Sequence, residues 1–321
     1  MPADIKEYDV ALYLNIETTE GTAATIAAAN ALYCQEMSWS VKDKTVRRDF
    51  RTQARPLDTV DQALLQWWEF SAKVPWMYSG AAGTAGPLAN MFRMCGAAAT
   101  TAAGVSVTYA RDTLTGFDTS TMEMRTPLSS GAKDYRRRTT GARGQLGFRF
   151  AAGEDMVFNL SGVGAYYDPD AVTVIAPAYG AQLANIFGPP RPSLITTKAL
   201  NGKMLCLQSV ESSNFFGYKS EWQESMCLAR AEPSTDENGT LKVSMKMSDW
   251  ETEFNPFAYA NRATVQRLPF AFSIGSVAGK KLDVTVAEVQ MGELSEIILP
   301  NNSRGVEFSL NILHNPVIVE K

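Results

Sequence analysis

Short alternations of apolar and polar residues recur along the chain. Val105-Ser-Val-Thr-Tyr109, Gln145-Leu-Gly-Phe-Arg-Phe150 and Met156-Val-Phe-Asn-Leu160 repeat with period two in the first half. Leu241-Lys-Val-Ser-Met-Lys-Met247, Leu282-Asp-Val-Thr-Val286 and Val306-Glu-Phe-Ser-Leu310 do so in the second. Successive side chains of a strand point to opposite faces, so each segment predicts a strand with one dry and one wet face. That arrangement suits antiparallel sheets. Helical signals are few. Pro87-Leu-Ala-Asn-Met-Phe-Arg-Met-Cys-Gly96 predicts a short helix, because Pro fits the first turn and Gly ends it. Asn255-Pro-Phe-Ala-Tyr-Ala-Asn261 begins the same way. The fold class expected is mainly β with minor α.

The order of elements occurs twice. Leu32-Tyr-Cys-Gln35 opens a strand followed by a charged extended stretch, Val41 to Phe50 and Arg51, ending at Pro56. Leu205-Cys-Leu-Gln208 opens another, with a polar stretch through Glu221 and Trp222 ending at Pro233. Cys34 and Cys206 lie 172 positions apart, Pro56 and Pro233 177, and Pro87 and Pro256 169. Each half is expected to close with two strands around a Gly-Glu turn, at Gly153-Glu154 and Gly292-Glu293, 139 apart. Offsets this similar predict a duplicated domain. The Pro-rich run Ile186-Phe-Gly-Pro-Pro-Arg-Pro-Ser193 reads as the linker. The expected organisation is an N-terminal arm over 1–30, a first domain over 31–185, a linker over 186–197 and a second domain over 198–321.

Charge narrows the functional classes. Residues 1–175 hold 17 basic and 19 acidic side chains and residues 176–321 hold 13 and 15. Neither half has the concentrated basic face of a module that grips nucleic acid. The start of the chain lacks the apolar stretch of a signal peptide, and no later run reaches membrane-spanning length. Cys34, Cys95, Cys206 and Cys227 show no CxxC spacing and read as reduced thiols of a cytoplasmic protein.

Little in the sequence suggests catalysis. His314 is the single histidine, at the end of a strand before a Pro turn, and reads as a surface or structural residue. No phosphate-binding glycine motif occurs; Ser79-Gly-Ala-Ala-Gly-Thr-Ala-Gly86 lacks the lysine and reads as a flexible loop. Neighbouring acids at Glu154/Asp155 and Glu251/Glu253 read as solvated faces or turns, with an acidic stripe left open for the second pair. Tyr135-Arg-Arg-Arg138, with Arg143 nearby, is the one basic cluster; it stands beside a turn-forming Gly141-Ala-Arg-Gly144 segment and reads as a solvated hairpin arm or an ion-pair element between subunits. No catalytic, cofactor or metal residue is assigned, and no cofactor is expected.

Three stretches carry a family likeness. Ile16-Glu-Thr-Thr-Glu-Gly-Thr-Ala-Ala-Thr25, Gly83 to Gly96 with Gly104-Val-Ser-Val-Thr-Tyr109, and Thr140-Gly-Ala-Arg-Gly-Gln-Leu-Gly-Phe-Arg-Phe150 with Leu160-Ser-Gly162 occur in that order. Together they resemble the opening, helix and closing hairpin of major tail tube proteins of long-tailed, siphophage-like bacteriophages. The second half matches by element order alone.

The resemblance implies two tandem β-sandwich or half-barrel domains, each flanked by a short helix. Sheets of neighbouring copies would join into a closed inner barrel. Six such domains with four strands each give roughly 24 strands about 4.8 Å apart. With a tilt near ~40°, the barrel is about 48 Å across its backbone. It further implies a virion-tail protein, made and assembled in the host cytoplasm, that stacks as rings around the viral DNA without binding it specifically. Its partners would be further copies of itself and the tape-measure and tail completion proteins, with no membrane insertion. The repeated order predicts rings of three chains. Val41, Lys42, Asp43, Lys44, Arg47, Arg48, Asp49, Arg51 and Glu221 are expected to make contacts between rings. Glu251, Glu253, Glu293 and Glu307 are expected to line the lumen, with Arg136, Arg137 and Arg138 away from it. A virion decoration protein or adhesin, and the tube of a contractile or secretion apparatus, are the alternatives.

Overall fold

A computed structural model describes residues 10–52, 55–112, 118–128, 131–189, 194–224, 229–234, 239–247, 254–260, 266–299 and 302–321, with 46–64 and 315 as backbone only where described. Strand accounts for 60% of it and helix for 7%, so the protein is mainly β. The first half contributes β1 (Ala11–Ile16), β2 (Ala31–Leu32), β3 (Glu36–Thr52), β4 (Arg55–Pro75), α1 (Ala89–Met94), β5 (Ala97–Ala102) and β6 (Ser106–Arg111). It continues with β7 (Ser120–Pro127), β8 (Lys133–Ala151), β9 (Val157–Ala165), β10 (Asp170–Thr173) and α2 (Gly180–Ala184). The second half adds β11 (Ile195–Leu200), β12 (Lys203–Met204), β13 (Leu207–Ser212), β14 (Lys219–Glu224), β15 (Ala229–Ser234) and β16 (Thr240–Lys246). It ends with α3 (Pro256–Tyr259), β17 (Leu268–Ile274), β18 (Leu282–Ile298) and β19 (Arg304–Glu320).

Eight strands run side by side, all antiparallel, in the order β3-β4-β9-β8-β13-β16-β19-β18. Alternation gives this sheet its two faces. Phe70, Phe148, Phe158, Val210, Val243 and Phe308 point into a single core that spans both halves. Their neighbours Glu69, Arg149, Asn159, Glu211, Lys242 and Glu307 stand on the other face. The long strands leave this sheet at one end. The first part of β8 pairs instead with β7 and β10, and β7 carries β1 and β2. The first part of β18 pairs with β17, which carries β11. These outer strands and α1 close the core from behind. Among the described residues of the single chain the strands form no closed barrel.

The two halves use the same order. The sheet divides into two runs of four, β3-β4-β9-β8 and β13-β16-β19-β18, and in each two earlier strands are followed in space by a late strand and then by the long strand that precedes it in sequence. Two of the three short helices, α1 and α3, appear where the Pro signals put them, and α2 has no such signal. Gly96 ends α1 at φ 90°, and the Asn255 side chain accepts a hydrogen bond from the Phe257 amide at the start of α3.

Several expectations need correction. Gly292-Glu293 is not a turn; it lies inside β18 at a bulge, where pairing jumps from Met291↔Leu310 to Leu294↔Phe308. A Cβ on Gly292 would stand 2.4 Å from the Ser309 hydroxyl, which instead accepts a hydrogen bond from the Glu293 amide. The true turn follows Ile298. Gly141-Ala-Arg-Gly144 is likewise strand, the place where β8 passes between layers, with Gly141 at φ 59°. Part of the supposed N-terminal arm is core: Leu12 and Tyr13 are fully buried in β1. The Gly-Ala loop is held by close backbone approach, since a Cβ on Gly83 would meet the Gly104 amide at 2.3 Å. The Pro-rich run starts packed, with Phe187 stacked 4.2 Å from Trp76; residues 190–193 lie outside the described residues.

One buried carboxyl sits where the halves meet a second time, along β6 and the end of β19. Glu320 is 4% exposed and accepts hydrogen bonds from the Gly86 amide (2.9 Å) and the Tyr109 hydroxyl (3.2 Å). Burial pushes its pKa up from 4.5 to about 7, because an ionised carboxylate is costly away from water. The folded chain therefore holds a proton there that the unfolded chain has lost, and stability falls as pH rises from 4.5 through 7. Thermal unfolding of Glu320→Gln is expected to match the native chain near pH 4.5 and to exceed it by about 2–3 kcal/mol at pH 8. Equal stabilities at pH 8 would contradict it.

Candidate assembly surface

The polar face of the eight-strand sheet is mixed in charge rather than acidic. Its cations stand beside carboxylates on adjacent strands. Lys42 Nζ lies 3.4 Å from Glu69, Lys73 Nζ 3.4 Å from Glu36, and Lys242 Nζ 2.9 Å from Glu307. Arg149 bridges the junction between the halves, 3.0 Å from Glu211 on β13 and 3.2 Å from Glu154 in the β8–β9 turn. Two of the four expected lumen residues, Glu293 and Glu307, stand on this face. Glu251 and Glu253 lie outside the described residues.

Two hairpins project beyond the sheet. The β3–β4 pair runs on past Trp67, where β9 stops. Among the described residues the β14–β15 pair forms its strand ladder only with itself, and it packs over β8 and β9. The rings of Trp67 and Trp222 stack at 6.2 Å and 7°, and Lys44 Nζ lies 3.6 Å from Glu224, so the two arms lie together. Arg143 supports the second arm by donating to the Ala231 carbonyl and to Glu20. Of the expected inter-ring residues, Val41, Asp43 and Lys44 are exposed, Lys42 belongs to the polar face, and Glu221 pairs with Lys219. Arg47, Arg48, Asp49 and Arg51 are described as backbone only, within β3.

The two outer strands of the sheet end without partners. Among the described residues β3 pairs only with β4, and the second part of β18 only with β19. The pairings Pro75↔Val157 and Lys246↔Gly305 set the two halves in register, and place Arg149 and Phe150 where Ile297 and Ile298 stand. The same alignment matches Val210 and Glu211 with Met37 and Ser38. Inside the chain Phe150 pairs with Val210 and is 2% exposed. Its counterpart Ile298, with nothing beside it, is 79% exposed.

The basic cluster lies elsewhere. Arg136 sits on the outer part of β8, 3.0 Å from Glu123 and 2.6 Å from Asp170. Glu123 also binds Arg125 at 2.6 Å, and both are almost fully buried. Arg137 and Arg138 lie over the rings of Tyr135 and Tyr167. Arg136 is thus an ion-pair element within the chain. Sequence reading missed Glu17, which is 7% exposed. It accepts hydrogen bonds from the amides of Gly21 and Gly141 and the hydroxyls of Thr119 and Thr121, at 2.8–2.9 Å. Its only local signal is the motif Glu17-Thr-Thr-Glu-Gly21.

Cys95 is buried and Cys34 half-buried, and desolvation pushes both thiols up, Cys34 to about 12, so neither is a ready nucleophile. Cys206 is exposed, and Cys227 lies outside the described residues. His314 is exposed on β19. Among the described residues no group of three or more His, Cys, Asp or Glu is placed to hold a metal ion, and no helix is long and apolar enough to cross a membrane. No protein-family model matches the chain, and neither does any curated protein sequence.

Proposed function

We propose that the protein is a structural tube subunit of the siphophage tail type, whose copies join edge to edge into rings around a DNA conduit. One observation carries the reading: the halves repeat one strand order and meet at a β8–β13 junction whose counterpart, between β18 and β3, is left open. Open sheet edges are association sites. A head-to-tail contact repeated by rotation closes into a ring. The β18 edge of one copy pairs with the β3 edge of the next in the internal register, with Ile298 opposite Met37 and Ile297 opposite Ser38. Three copies of this duplicated chain then supply the six domains and roughly 24 strands of the barrel. The polar face becomes the lumen and the paired hairpins reach the neighbouring ring.

Cryo-electron microscopy of the concentrated protein tests this. Stacked rings of three chains are expected. Rings of six chains would refute the stoichiometry. Isolated particles at every concentration would favour the decoration or adhesin class.

A further inference from the structure

We propose that the polar face of the eight-strand sheet is kept from holding double-stranded DNA by pairing its cations with its own carboxylates, strand by strand. The proposal rests on the tube reading for its choice of polyanion. The pairings themselves are features of the single chain.

Four pairs cross between neighbouring strands over both halves: Lys42–Glu69, Lys73–Glu36, Arg149–Glu211 and Lys242–Glu307. None lies within one strand, so the face is a lattice of dipoles rather than stripes of one sign. Lys246, at the end of β16, is exposed and has no ion pair among the described residues. A dipole of this kind loses its field within a screening length of about 8 Å at physiological ionic strength. A lysine that turned toward a phosphate would leave its carboxylate beside that phosphate, and the repulsion would cancel the contact. DNA affinity arises when cations replace the condensed counterions of the duplex. The unpaired Lys246 is offset by Glu293, exposed on the same face, so the face carries no net cation and has nothing to exchange. The basic cluster of β8 stands on the outer strands and engages its own acids and tyrosines. A uniformly acidic face would also avoid DNA, but by repulsion at a distance. The paired face does so only while its pairs are intact.

The carboxylates are the control points. The four partners are exposed at 74% (Glu36), 47% (Glu69), 39% (Glu211) and 31% (Glu307), so isosteric amides should leave the fold intact. The test uses the full chain with Glu36→Gln, Glu69→Gln, Glu211→Gln and Glu307→Gln combined, and a labelled 30-base-pair duplex in fluorescence anisotropy. A control chain carries four neutralised exposed acids that have no ion pair among the described residues: Asp43→Asn, Asp155→Asn, Asp168→Asn and Glu296→Gln. The native chain and the control are expected to show no binding. The paired-face variant should bind, and with four phosphates neutralised and their counterions released, that binding would weaken roughly a hundredfold between 50 and 200 mM salt. Equal binding by variant and control would show that net charge alone governs and overturn the proposal. So would binding by the native chain, or none by the variant while its circular dichroism and melting are native. A chain that forms no rings yet gains DNA affinity in the variant would overturn the tube reading and keep the pairing.

Discussion

Replacing Ile298 with glutamate is expected to leave the melting temperature of the monomer unchanged and to abolish rings and tubes. The side chain is 79% exposed, so the isolated molecule gives up almost no buried surface. Its counterpart Phe150 shows what the assembled position requires, since that ring is 2% exposed among Phe148, Phe158 and Phe272. Burying an isoleucine is worth about 1.5–3 kcal/mol per contact. Placing an unpaired carboxylate there costs several kcal/mol more. The sum, repeated at every seam of a ring, exceeds what a closed assembly tolerates. Negative-stain microscopy and sedimentation velocity read the outcome. Tubes of normal length from Ile298→Glu chains would place the contact between copies on another surface.

Glu17→Ala should have the largest effect on the fold itself. The carboxylate gathers four donors, from β7 and the residue before it, the middle of β8 and its own loop, the farthest partner 124 residues along the chain. Its removal strands two amides and two hydroxyls in a space with little water. Each buried donor left unmet costs about 1–3 kcal/mol. Allowing for relaxation, a loss of about 3–5 kcal/mol is expected, and a fall in melting temperature of roughly 10 °C. Glu17→Gln keeps the acceptor oxygen and should recover part of it. A melting temperature within a degree of native in Glu17→Ala would show that the loop contributes nothing to the core.

The alternating segments announce their strands because one face of each is covered and the other is wet. The patterns that begin at Leu241, Leu282 and Val306, on β16, β18 and β19, are readable for that reason. So are the Pro and Asn starts and the Gly stop of the helices. The failures have physical causes as well. Gly292-Glu293 resembles Gly153-Glu154 in letters, yet Gly292 is small because Ser309 crowds it, whereas Gly153 turns the chain at φ 83°. Gly141 to Gly144 is rich in glycine because strands cross closely there: a Cβ on Gly144 would touch Leu160 at 2.9 Å. The buried charges at Glu17 and Glu320 leave no periodic trace, since all but one of their partners come from distant parts of the chain. The pairing of the polar face is hidden for the same reason. Lys42 and Glu69, or Arg149 and Glu211, become neighbours only once the strand order is known.

The junction between β8 and β13 joins two parts of one polypeptide. It therefore forms during folding, at an effective concentration on the order of millimolar that dilution cannot lower. In a three-chain ring, half of the six seams would be closed before any two molecules meet. Only the other three respond to protein concentration. In the proposed assembly the threshold for ring closure would then depend on the β18–β3 edge alone, and those few residues could set when rings form without touching the stability of the subunit.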